Sequence, residues 1–170
     1  MKLPAKIAIL GVGLIGGSIA LGLKKRLGTK VAILGACSTP KRAKMALNKD
    51  TIDIAVADPQ KMPQNVGLII LSAPISVNIR LLNSLKLPKS LIIDVGSTKE
   101  AIYRRLPPHI RFIGTHPMAG GEKAGFEHAA PDLFVGKPWI VCESHNARSS
   151  DVQIVNDLIT ILGGKKIVMT

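Results

Sequence analysis

Three groups of residues in this chain have the types and spacing to do chemistry. The first is Gly11-Val12-Gly13-Leu14-Ile15-Gly16, a G-x-G-x-x-G. Between a strand and a helix such a run can cradle a pyrophosphate. Gly11 permits the tight turn, Gly13 the close approach of backbone to phosphate, and Gly16 the packing of helix on sheet. The helix that follows the run adds free N–H groups and the positive end of its dipole, and Leu14 and Ile15 of the run are expected beside the cofactor with the glycines. The second group lies about 20 residues further on, where an NAD site places Asp or Glu for the ribose 2′-hydroxyl. Here the chain reads Gly35-Ala36-Cys37-Ser38-Thr39-Pro40-Lys41-Arg42, without a carboxylate. Ser38, Thr39, Lys41 and Arg42 offer the hydroxyls and cations that a 2′-phosphate needs, so NADP is expected in preference to NAD. The third group is His116-Pro117-Met118-Ala119-Gly120-Gly121-Glu122, a glycine-rich loop after a strand. Imidazole takes a proton near neutral pH, which oxidation of an alcohol by hydride transfer requires.

Other chemistries find less support. His109, His128 and His145 have no comparable context, and no second ligand falls at metal-binding spacing, so no metal site is expected. A Gly-x-Ser-x-Gly run is absent, which leaves a serine nucleophile without support.

The elements that must position these groups follow from periodicity. Ile7 to Leu10 reads as a strand buried on both faces, followed by a helix through Ser18, Ile19, Leu21 and Leu23. Lys30 to Leu34 is the second strand, and Pro40 to Asn48 a helix with Pro in its first turn. A short strand near Ile52 to Ile54 and a loop from Asp58 to Asn65 precede the apolar strand Val66 to Leu71, which ends at Ser72-Ala73-Pro74. A helix from Ile75 to Leu85 leads to a strand at Leu91 to Val95. Ser97-Thr98-Lys99-Glu100 then has the form of a capping box for a helix from Lys99 to Leu106. Strands at Arg111 to Thr115, Trp139 to Cys142 and Lys166 to Met169, with a helix from Asp151 to Leu162, complete the chain. The alternation predicts an α/β fold: a doubly wound, mostly parallel Rossmann-type sheet with helices on both faces and its ligand at the carboxyl ends of the strands.

Composition agrees with one such domain over residues 1–170. Hydrophobic residues are 46% but aromatics only 3%, so Ile, Leu, Val and Ala must build the core. The apolar stretch from Ile7 to Leu23 is short for a membrane span, holds several glycines and has no A-x-A cleavage site. Cys37 and Cys142 form no metal or disulfide pattern, which fits a reducing cytoplasm. The net charge of +12 comes in short clusters such as Lys24-Lys25-Arg26 and Arg104-Arg105, without interleaved aromatics. Solvated helix ends and an anionic small-molecule ligand account for it better than nucleic acid or a membrane.

Taken together, GVGLIGGS, DVGSTK (Asp94 to Lys99) and THPMAGGEKAG (Thr115 to Gly125) resemble the prephenate/arogenate dehydrogenases of tyrosine biosynthesis. The resemblance spans nearly the whole chain as the N-terminal nucleotide-binding domain of that family, and HPMAG-x-E is its most specific part. It implies that His116 hydrogen-bonds the substrate's ring hydroxyl and accepts its proton. It also implies that Ser97 holds the same hydroxyl, that Glu122 is a polar gate beside the pocket, and that Ser72, Ala73 and Pro74 line the nicotinamide. The implied reaction is oxidative decarboxylation: hydride leaves the hydroxyl-bearing ring carbon and the ring carboxylate departs as carbon dioxide. Family members continue into an all-helical domain that dimerises and supplies an Arg for substrate carboxylate; these 170 residues hold no such segment, so a homodimer is expected only with it. Prephenate and arogenate are not separated by this domain. Two other readings stay open: a non-catalytic NADP-binding regulatory module, and another β-hydroxyacid or imine-type dehydrogenase with the same glycine fingerprint.

Overall fold

The computed structural model describes residues 2–85, 89–120, 125–142 and 146–169. The side chains of its first strand, β1 (Lys6–Leu10), alternate between two cores. Ile7 and Ile9 face one side of the sheet, Ala8 and Leu10 the other, and all are at most 1% exposed. Only a strand sandwiched between helical layers buries both faces in this way.

Around β1 the sheet is doubly wound. Helix α1 (Leu14–Leu27), β2 (Ala32–Ala36), α2 (Pro40–Asn48) and the two-residue β3 (Ile54–Ala55) build one half. Strand β4 (Leu68–Leu71), α3 (Ile75–Ser84), β5 (Leu91–Asp94), the single turn α4 (Glu100–Tyr103) and β6 (Arg111–Pro117) build the other. Then follow β7 (Pro138–Cys142), α5 (Ser149–Ile161) and β8 (Lys165–Met169). The strand order is β3-β2-β1-β4-β5-β6-β7-β8, and every neighbouring pair is parallel except β6 with β7. Residues of α1, α2 and α5 enter one core, and Leu82 of α3 and Ile102 of α4 the other. The order therefore reverses between β1 and β4, and a crevice opens beyond their carboxyl ends.

Several boundaries differ from those expected. Strand β2 begins at Ala32, two residues late, because Gly28–Lys30 closes a 3₁₀ turn after α1. Helix α4 is one turn starting at Glu100, with Lys99 at its cap and no side-chain cap bond, so the capping box at Ser97 does not form. The loop is held instead by Asp94, to which Lys99 folds back. Strand β6 continues to Pro117, past Thr115, because antiparallel β7 gives it a partner: His116 opposes Ile140 and Pro117 opposes Trp139. His116 is thus a strand residue, not the first residue of a loop.

The basic cluster Lys24-Lys25-Arg26 is less a solvated face than a fastening. Lys24 pairs with Asp53, while Lys25 and Arg26 both bind Asp132, and Arg26 also donates to the Pro131 carbonyl at 2.9 Å. The bonds to Asp132 and Pro131 tie the segment from Phe126 to Phe134 over α1. A side chain at Gly17 would run into Ala129 and Phe126, and the buried Ser18 hydroxyl accepts from Ala130 N–H at 3.0 Å.

Candidate functional site

The glycine turn sits at the reversal point. Gly11 adopts φ +109°, and a Cβ there would fall 2.5 Å from Ala73 N and 2.6 Å from the Ser72 carbonyl carbon. Both the backbone conformation and the close approach to β4 therefore require glycine. A Cβ on Gly16 would collide with the Gly11 carbonyl and the Ser72 hydroxyl, which sets how near α1 can lie to the sheet. Gly13 differs: nothing lies within 4 Å of its added Cβ, so its backbone faces open space. Ser72 has a part that its position alone does not announce. Its hydroxyl donates to Gly11 O at 2.8 Å, bridging the ends of β1 and β4.

A cleft of about 280 Å³ opens beside this turn, lined by Gly11, Gly13, Cys37, Ser38 and Arg42 on one flank and by Ser72, Ala73, Pro74 and Val77 on the other. Cys37 and Ser38 follow β2 directly, where the carboxylate of an NAD site would stand. Thr39 caps α2 by accepting from Arg42 N–H at 3.3 Å, and the Arg42 guanidinium donates to Ser38 Oγ at 3.1 Å. Burial pushes the Cys37 thiol up, against the pull of the Arg42 charge. Lys41 is exposed and lines no part of this cleft. Leu10, Val12, Ala36, Pro59, Val77 and Leu81 complete the apolar lining; the spacing of Val77 and Leu81 is that of any helix face turned to a core, so the sequence carried no signal for them.

The next two strands carry the second part of the site. Register pairs Asp94 of β5 with Gly114 of β6, so the residues that follow emerge side by side. Asp94 is 1% exposed, binds the Lys99 ammonium and accepts from Gly96 N–H at 2.9 Å. Burial raises its carboxyl above the usual range; Lys99 and the Gly96 N–H oppose that rise. The Lys99 stem crosses the face of Gly114, where any Cβ would crowd it, and Tyr103 Oη accepts from Gly114 N–H at 3.2 Å. Ser97 lies exposed on the loop that these bonds close. His116 is half-buried, with Nδ1 3.5 Å from the Val95 carbonyl. A proton on Nδ1 directed there leaves Nε2 as an acceptor. Glu122 lies outside the described residues. The structure thus gathers Gly11, Gly13, Ser38, Arg42 and Ser72 to Pro74 around one cleft, and sets Ser97 and His116 on the neighbouring strand ends of the same sheet edge.

Residues 19–168 match the nucleotide-binding domain of prephenate dehydrogenase. The chain belongs to that family. The match starts after the glycine turn, so the turn is independent support for a nucleotide-binding domain. Prephenate dehydrogenase of Lactococcus lactis is 38% identical over 147 residues, covering 81% of this chain and 41% of that protein. The crystal structure of prephenate dehydrogenase from A. aeolicus, in complex with hydroxyphenyl propionate and NAD+, superposes with a TM-score of 0.89 at 26% identity. It matches all of this chain and 61% of that one. Synechocystis arogenate dehydrogenase gives 0.86 at 28% identity, covering 97% and 59%. The chain therefore spans about two-fifths of its curated relative and about three-fifths of these structures. Among the described residues no helix is long and apolar enough to cross a membrane.

Proposed function

We propose that this domain is the cofactor half of a cytoplasmic, NADP-dependent dehydrogenase that oxidatively decarboxylates prephenate or arogenate. The observation that carries the reading is convergence: the glycine turn, the carboxylate-free end of β2 and His116 all open on one edge of the sheet. The residues present fit a dinucleotide. Gly13 leaves its backbone open to a pyrophosphate, and Ser38 with Arg42 stands where the ribose 2′ position falls. Bound there, nicotinamide supplies the hydride acceptor. Ser72 fixes the turn, Ala73 and Pro74 line the nicotinamide end, and Ser97 and His116 hold the ring hydroxyl. His116 takes the hydroxyl proton at Nε2 as the ring carbon gives up hydride, and the ring becomes aromatic as its carboxylate leaves. Glu122 gates the pocket.

Two results test this. Arg42→Ala should weaken NADP by roughly 1.5–3 kcal/mol, the worth of a hydrogen bond to a charged group, and leave NAD nearly unchanged. Calorimetric titration of both cofactors reads it, and parallel losses would sink the assignment of Arg42 to the 2′-phosphate. The isolated 170 residues should bind NADP yet form no NADPH with millimolar prephenate or arogenate. Hydride transfer needs the reacting carbon held about 3–3.5 Å from the acceptor, and a polyanionic ring needs a cation that the family carries on its helical domain. That domain is also where we place homodimerisation. Turnover by the isolated chain would show that it completes its own substrate site.

A further inference from the structure

The cofactor cleft has a neighbour. A second groove, of about 440 Å³, runs between α2 and the segment Ala55 to Ala57 at the end of β3. Its floor is Cys37, Ser38 and Thr39, and its far wall is Pro40, Ala43, Lys44 and Leu47, one face of α2 at helical spacing. Cys37 and Ser38 line both cavities, so the two meet at the first residues after β2. That junction is where a Rossmann-type site presents the ribose 2′ oxygen.

We infer that this junction and groove receive the 2′-phosphate of NADP, and that Lys44, not Lys41, is the second cation that reads it. The inference rests on the NADP reading above and adds a specificity residue to it. Helical side chains lean toward the N-terminus, so Lys44 reaches back over the first turn of α2 toward Thr39 and Ser38. Arg42 comes to Ser38 from the opposite face of the helix. A phosphate at the start of α2 would lie between the two cations, beside hydroxyls of Ser38 and Thr39 that still have protons to donate. Lys44 is also free to meet an anion, as are most basic side chains among the described residues; its place on the groove wall is what distinguishes it. Lys41 is equally unpaired but lines neither cavity.

The test is calorimetric titration of the chain with NADP and with NAD. Wild type, Lys44→Ala, Lys44→Arg and Lys41→Ala are compared, with thermal melting to show that each is folded. Lys44 is exposed, so its replacement should leave the melting midpoint in place. In Lys44→Ala the NADP dissociation constant should rise roughly five- to twenty-fold, between the effect of an exposed ion pair and that of a full charged hydrogen bond, while NAD stays within about two-fold. Lys44→Arg should keep most of the preference, and Lys41→Ala should change neither cofactor by more than about two-fold. Unchanged NADP binding in Lys44→Ala, or an equal loss in Lys41→Ala, would overturn the assignment while a wild-type preference for NADP kept the cofactor reading intact. A wild type that does not prefer NADP would remove both.

Discussion

Replacing His116 by Asn is expected to lower turnover by about 10²–10⁴-fold, the usual contribution of a positioned general base, when prephenate or arogenate oxidation is assayed on the full-length polypeptide. Asn can still donate toward the Val95 carbonyl that now faces Nδ1, so the local fold should survive. What it lacks is an acceptor able to take a proton near neutral pH. His116 stands on β6, clear of the cleft residues Gly13, Ser38 and Arg42, and NADP affinity should therefore change by no more than about two-fold. Loss of chemistry with retention of cofactor separates the base from a residue that only shapes the domain. If turnover stays within a few-fold of wild type, His116 is a strand residue that packs and nothing more. If NADP affinity falls in step with turnover, the substitution has disturbed the nucleotide site instead.

The second large effect concerns stability. Asp151 is completely buried in the first turn of α5, and the Arg111 guanidinium binds both of its oxygens. Arg148 N–H donates to the same carboxylate at 3.0 Å, and Arg111 also donates to the Lys89 carbonyl at 2.8 Å. Burial acts to raise the Asp151 carboxyl, but Arg111 and then the Arg148 N–H outweigh it and hold the group below its ordinary value. Arg111→Met leaves that carboxylate buried with a single backbone donor. Breaking one side of a buried pair costs about 3–5 kcal/mol, so urea denaturation at neutral pH should show a loss of that order. The pH dependence has a defined sign. A depressed carboxylate contributes stability that is fully present above its unfolded value, near 3.9, and is lost as the pH falls through the folded one. The gap between wild type and Arg111→Met should therefore be widest at neutral pH and narrow below about pH 4. A gap of constant size down to pH 3 would mean that packing of the Arg111 stem, rather than the ion pair, stabilises this corner.

The unevenness of what could be read in advance has a physical pattern. Helix α2 is legible to the residue, since Pro40 suits its first turn and that signal is local; the Thr39 cap found in the structure acts over the same few residues. Ser97 to Glu100 carries an equally good local signal, yet the cap does not form. Lys99 is drawn instead to the buried Asp94, and a charged partner in the interior outweighs a surface cap. The end of β6 was misplaced for a related reason. Nothing near His116 in sequence announces that β7 will lie antiparallel beside it, and that pairing alone extends the strand to Pro117.

The β1–turn–α1 unit, the α/β alternation and the residue types at each strand end are legible in the order of amino acids alone. These depend on side-chain period, on glycine's access to positive φ at Gly11, and on the absence of an acid after β2, all written within a few tens of residues. Which of those residues share a cavity follows from long-range packing. It put Lys44, and not Lys41, on the wall of the groove beside the β3 edge, and it gave Ser72 the Gly11 carbonyl as a partner 61 positions away. It also turned Lys25 and Arg26 from solvated charges into the bonds that hold Asp132 and its segment on α1. Such contacts join residues distant along the chain, and their geometry exists only once the sheet has brought the strand ends to one edge.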